Sequence, residues 1–132
     1  MTVTLFIYGS LLPGMSNHQL LAGRILAQQP GRVAGRLVDV GPYPALVRDV
    51  AAAESGSKVQ GLWIDVDFPL LRVLDELEDF ASMEEANDYE RIWTKDAADP
   101  ARSGWVYVWP SDRGQPAVDG EDWTRYFTDR RK

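Results

Sequence analysis

The sequence predicts a small mixed α+β domain whose short strands bend sharply enough to suit a closing barrel. Period-two apolar alternation recurs along the chain, glycines and prolines interrupt it at close intervals, and one segment, after Pro69, carries a convincing helical period. Residues 2–8 set Val3, Leu5 and Ile7 on one side and Thr4, Phe6 and Tyr8 on the other, the pattern of a strand covered on both faces, which ends at Gly9-Ser10. Ser16-Asn17-His18-Gln19 matches a capping box and predicts a short helix over 17–22. Gly31, Gly35, Gly41, Pro42 and Pro44 punctuate the apolar runs 33–40 and 43–47, giving short, sharply bent strands.

Residues 51–57 are small and polar and read as a surface loop or hairpin tip. Over 58–66, Val59, Gly61 and Trp63 alternate with Gln60, Leu62 and Ile64, a further strand. Asp67-Phe68-Pro69 opens the helix, because Asp suits an N-cap and Pro is tolerated in the first turn. Two strands rich in Trp, Tyr, Val and Ile follow at 88–95 and 104–109, joined by the polar turn 96–100. A short closing helix over 119–127 and a charged, frayed end over 128–132 complete the reading. With no repeat, low-complexity tract or linker, residues 1–132 are expected to form one domain.

Composition narrows the function. Of 132 residues, 45% are hydrophobic, 26% charged and 11% aromatic, a globular balance. A chain of this size buries roughly two-thirds of its unfolded surface, so its core needs neither disulfide nor metal. The absence of cysteine removes disulfides, thiolate nucleophiles and Cys-based zinc sites, and the lone His18 removes a multi-histidine metal site. Fourteen Lys and Arg against twenty Asp and Glu leave a net charge of −6, the wrong sign for a chain that binds phosphates, so neither nucleic acid nor an anionic membrane is an expected partner. The first residues lack a basic region and reach Gly9 too soon for a signal peptide or a membrane span. The expectation is a cytoplasmic enzyme or small-molecule binder.

Helical-wheel geometry singles out Glu78. With Leu70 at zero, Leu74 lies near 40°, Leu77 near −20°, Leu71 near 100° and Glu78 near 80°, all within roughly 120°. Arg72, Asp75, Glu76 and Asp79 occupy the opposite, solvated face. Glu78 is therefore either a stripe-edge group, snorkelling or paired with Arg91 or Lys95, or a carboxylate aimed into a cavity, where burial raises its pKa toward neutrality and fits it for proton transfer. Tyr8-Gly9-Ser10-Leu11 is the second candidate. A glycine directly after a strand lets consecutive amides converge on a carboxylate, although the same residues also make an ordinary strand-ending turn. Ser10 makes a poor nucleophile, because no Gly-x-Ser-x-Gly elbow surrounds it and His18 is the sole imidazole. Trp63, Trp93, Trp105, Tyr107 and Trp109 read as strand residues, most of them of the core or barrel wall, with Tyr107 and Trp109 on one side of their strand.

These motifs together resemble the γ-glutamylcyclotransferase-like family, which also takes in the plant avirulence-induced proteins. The resemblance is carried in order by Tyr8-Gly9-Ser10-Leu11, Gly14 and Asn17, Gly41-x-Tyr43-Pro44-x-Leu46, Val59-x-Gly61, Leu74-Asp75-x-x-Glu78, Tyr89-x-Arg91, Tyr107 and Asp122-Trp123. Two positions depart from the family pattern. Asp79 stands where a glycine commonly follows the glutamate, and Leu62 where a glutamate commonly follows the Val-x-Gly glycine. The resemblance implies a small barrel of about six mixed strands flanked by a few short helices. It also implies cofactor-free, metal-free release of 5-oxoproline from a γ-glutamyl amine. Glu78 would then be the general acid/base, the backbone of Tyr8, Gly9, Ser10 and Leu11 would hold the substrate's α-carboxylate end, and Tyr107 would line the pocket. A non-catalytic binding barrel and an amidohydrolase that releases free glutamate are the competing readings. The attached amine and the oligomeric state are open.

Overall fold

The structure is a computed structural model that describes residues 2–9, 11–15, 18–21, 23–41, 43–70, 72 and 90–130. Its strands are β1 (Thr2–Ile7), β2 (Ala27–Ala34), β3 (Arg36–Asp39), β4 (Pro44–Val47), β5 (Lys58–Asp67), β6 (Glu90–Lys95) and β7 (Ser103–Val108). Five of them form a mixed sheet in the order β2-β5-β1-β7-β6, and β3 and β4 form a separate pair. β1 lies at the centre, antiparallel to β5 and parallel to β7. Its alternation works as the sequence requires. Leu5 and Ile7 enter one apolar cluster with Ile64, Val66, Leu70 and Tyr107, while Phe6 and Tyr8 enter a second with Val33, Leu46, Trp63, Val106, Val108 and Trp123. Gly61 permits this packing, since a Cβ there would collide with the Ile7 carbonyl oxygen and the Phe6 ring.

Several expectations are corrected. The segment 51–57 is not a loop: Val50–Ser55 form a helix, α1, capped by the Asp49 side chain, which accepts from the Ala52 amide at 2.9 Å. Gly56, at φ 67°, closes its C-terminus in the left-handed conformation. In place of a helix over 17–22 there is one 3-10 turn, His18–Leu20, with Leu21 N–H donating to the His18 carbonyl at 2.8 Å and Arg24 N–H to that of Leu21 at 2.9 Å. The proposed cap residues Ser16 and Asn17 lie outside the described residues. β2 starts at Ala27, well before the apolar run, because it is a sheet edge whose residues Gln28, Gln29 and Pro30 face water and so carry no apolar period.

The closing helix is Trp123–Arg130, starting and ending later than expected, so residues 128–130 are helical rather than frayed. Asp122 caps it, accepting from the Thr124 amide at 3.0 Å, and fully buried Trp123 anchors it in the second apolar cluster, with the rings of Tyr126 and Phe127 of the same helix beside it. The helix after Asp67 opens at residues 68–70, and most of its remaining length lies outside the described residues. Among the described strands the ladders form two sheets and no closed ring, and there are seven strands rather than about six. Single bridges from Val47 to Trp109 and from Val38 to Ala117 link β4 and β3 onward. Trp109 thereby leaves the face of Tyr107 for a third cluster with Val38, Ala45 and Val47. Of the five strand aromatics, most of which are expected in the core or barrel wall, Trp93 is 54% exposed. No described helix is long and apolar enough to cross a membrane.

Candidate active site

The end of β1 delivers Tyr8 into the interior, where its hydroxyl donates to the Tyr107 carbonyl at 2.6 Å and accepts from the Leu46 amide at 3.2 Å. One phenol thus ties the exit of β1 to both β7 and β4. Both partners are buried, so both bonds are made away from water. Gly9 follows. A Cβ at this position would lie 2.6 and 2.7 Å from Cγ and Cδ of Pro44, so glycine is required here by close approach. This gives a physical reason for the pairing of the Tyr-Gly motif with the Tyr43-Pro44 motif.

Beyond Gly9 the chain is held by short bonds. The Leu12 amide donates to the Gly9 carbonyl at 3.0 Å and the Met15 amide to that of Leu12 at 2.9 Å. His18 Nδ1–H donates to the Leu11 carbonyl at 2.8 Å, so the single imidazole serves the loop as a brace and is committed to the tautomer that carries that proton. Leu11 and Leu12 are buried in the first apolar cluster beside Tyr107 and Leu70. No described residue accepts from the amides of Gly9 or Leu11.

The structure therefore brings Tyr8, Gly9, Leu11 and Tyr107 together at one end of β1 and β7, next to the start of the helix at Leu70. Ser10 and Glu78, the remaining candidate residues, lie outside the described residues, as do Tyr89 and the apolar stripe of the helix beyond Leu70. Leu46 and Pro44 are members of the site that residue chemistry overlooked. The signal was the Gly41-x-Tyr43-Pro44-x-Leu46 motif, which gives no hint that it packs against Gly9.

Other charged groups with displaced proton affinities are structural. Burial pushes the Asp96 carboxyl up, but Trp63 Nε1–H at 2.8 Å and the amides of Arg32, Asp99 and Ala98 at 2.8 to 3.0 Å outweigh it and hold the group below the usual carboxylate range. Arg36 binds Asp49 at 2.7 Å and Asp112 at 3.1 Å, which raises its own affinity for its proton. The Arg36 guanidinium holds Asp49 below its ordinary value, and the Gly114 amide, followed by Arg36, does the same for Asp112. Among the described residues no three His, Cys, Asp or Glu side chains are grouped to hold a metal ion.

A mixed α+β fold built on this central strand is shared by solved structures, among them an AIG2-like protein from Mus musculus. That structure is 24% identical, with a TM-score of 0.69 over 92% of this chain and 88% of its own. A family model described as gamma-glutamyl cyclotransferase, AIG2-like, matches residues 5–125, and the chain belongs to that family. The gamma-L-glutamyl-butirosin B gamma-glutamyl cyclotransferase of Niallia circulans is 31% identical over 125 residues, covering 92% of this chain and 76% of the relative. A putative gamma-glutamylcyclotransferase of Vibrio cholerae is 32% identical over 120 residues, covering 89% and 92%. The protein is a γ-glutamylcyclotransferase-like enzyme.

Proposed function

We propose that the protein releases 5-oxoproline and a free amine from a γ-glutamyl amine, in the cytoplasm and without a cofactor. The observation that carries this reading is the meeting of Tyr8, Gly9, Leu11 and Tyr107 at the end of β1, beside Leu70, in a chain whose family match spans residues 5–125. In this reading the amides around Gly9 and Leu11 take the α-carboxylate, since they point to no described acceptor and a second carboxylate oxygen can engage the neighbouring turn.

Glu78 then accepts a proton from the substrate's α-amine as that nitrogen attacks the γ-carbonyl carbon. The new C–N bond closes the five-membered lactam, the original amide C–N bond breaks, and Glu78 returns the proton to the departing amine. A loop amide or the Ser10 hydroxyl steadies the oxyanion that forms between the two steps. The sheet would curl toward the barrel that the family resemblance implies, and the bridges at Val47 and Val38 support that closure. The relative named for γ-L-glutamyl-butirosin B supports trying γ-glutamyl derivatives of larger amines as well as γ-glutamyl amino acids.

The test is a panel of γ-glutamyl amines incubated with the purified protein, with products identified by mass. 5-Oxoproline together with the free amine is the expected result. Free glutamate as the only acid would establish the hydrolase reading instead, and turnover of nothing would leave a binding protein.

A further inference from the structure

β6 is the outer strand of the sheet, and its residues 91, 93 and 95 stand opposite Tyr107, Trp105 and Ser103 of β7. Directly paired residues share a face, so Arg91, Trp93 and Lys95 lie on the same side as Trp105 and Tyr107. This is the side of the first apolar cluster, in which Tyr107 packs with Leu11 and against which Trp105 is partly buried. Trp105 lies one same-face step back along β7 from Tyr107, roughly 7 Å away. Trp93 meets Trp105 edge-on, with ring centroids 5.1 Å apart and planes at 87°. The Arg91 guanidinium lies 4.6 Å over the Trp105 ring. More than half of Trp93 is open to solvent, at 54%.

A single exposed apolar side chain needs no explanation. Two contiguous indoles on the face of the first apolar cluster are different, because they carry that face out to the sheet edge as an apolar, π-rich surface. We infer that Trp93 and Trp105 form the subsite for the amine half of the substrate and select leaving amines that bear an aromatic ring. This inference rests on the proposed cyclotransferase reaction. A glutamyl group held at the ends of β1 and β7 is linked through its γ-carbonyl to the amine, and the neighbouring surface on that face, one step back along β7 from Tyr107 and across to β6, is the indole pair. An indole attracts a second ring by offset or edge-to-face contact. The same-face neighbours of Trp93 in β6 are Arg91 and Lys95, both on the side of the indole pair. Trp93 is a specificity residue in this arrangement, remote from the bonds that form and break, so its contribution is to KM.

The test compares γ-glutamyl-phenylalanine with γ-glutamyl-alanine, which differ only by the ring. Trp93→Thr removes the indole and keeps a residue that suits a strand, and Trp93→Phe retains a ring. The parent is expected to prefer the phenylalanine substrate. In Trp93→Thr the ratio of the two kcat/KM values should fall about tenfold, through KM, and Trp93→Phe should restore most of it. An unchanged ratio in Trp93→Thr, or equal behaviour of the two variants, overturns the subsite. A hairpin-stabilising role alone would lower the thermal midpoint and depress both substrates in proportion, which also overturns it. Failure of the parent to release 5-oxoproline from either substrate is a different result: it rejects the reaction, and the subsite falls with it.

Discussion

Gly9 shows how far one hydrogen atom can matter. Its replacement would be forced against the Pro44 ring at 2.6 Å, within the tie that Tyr8 makes between β4 and β7. Gly9→Val is therefore expected to displace the loop and abolish 5-oxoproline binding by calorimetry, and a folded variant that binds like the parent would place the anion site elsewhere. Glu78 is the complementary test, because its substitution asks about chemistry. Glu78→Gln keeps size and hydrogen bonding but not proton exchange, so turnover should fall by roughly 10² to 10⁴-fold while product binding survives. Glu76→Gln, on the face that the wheel assigns to solvent, controls for the lost charge and should stay within a few-fold. If Glu78 is half of a buried ion pair, the Gln variant should instead lose about 3 kcal/mol or more of stability, which thermal unfolding would reveal.

At the scale of elements, Asp96 joins pieces that are distant in sequence. Its carboxylate receives the Trp63 indole N–H from β5, the Arg32 amide from β2 and two amides of the turn between β6 and β7. Asp96→Ala would strand these donors and should cost at least about 2 kcal/mol by denaturant unfolding. The pH dependence has a definite sign. Because the folded-state affinity for a proton is depressed, the contribution is complete above the unfolded value near 3.9 and is lost as pH falls through the folded value. The stability gap between parent and Asp96→Ala should thus be flat from about pH 5 to 7 and shrink below about pH 4. A gap of constant size at all pH values would show that the charge contributes nothing.

For the molecule as a whole, the composition fits the proposed chemistry, in which a carboxylate and backbone amides do the work. Without cysteine and with one histidine, which braces the Leu11 carbonyl, the chain offers few soft or nitrogen ligands. The product assay should accordingly proceed at the same rate in the presence of a chelator, and inhibition reversed by added metal would contradict the mechanism. The sheet order gives the same scale its logic. A parallel β1–β7 pair inside antiparallel neighbours sets the exits of two strands side by side, and that is where Tyr8 and Tyr107 meet.

The sequence by itself determined the central strand, β5, the hairpin of β6 and β7, and the grouping of motifs that placed the chain in its family. Each rests on local information: period-two alternation, or short motifs in a fixed order. It misjudged residues 51–57, although Asp49, three alanines and Gly56 were visible, because small residues carry no apolar period from which to recognise a helix. It missed the first half of β2 for the related reason that an exposed edge strand has no buried face to mark in the sequence. Only the tertiary structure decided that Pro44 is what excludes a side chain at Gly9, that the Tyr8 hydroxyl belongs to Tyr107 and Leu46, and that Trp93 lies outside the core. These are contacts between residues tens of positions apart, created by strand order and register, and no local pattern encodes which strand will lie beside which.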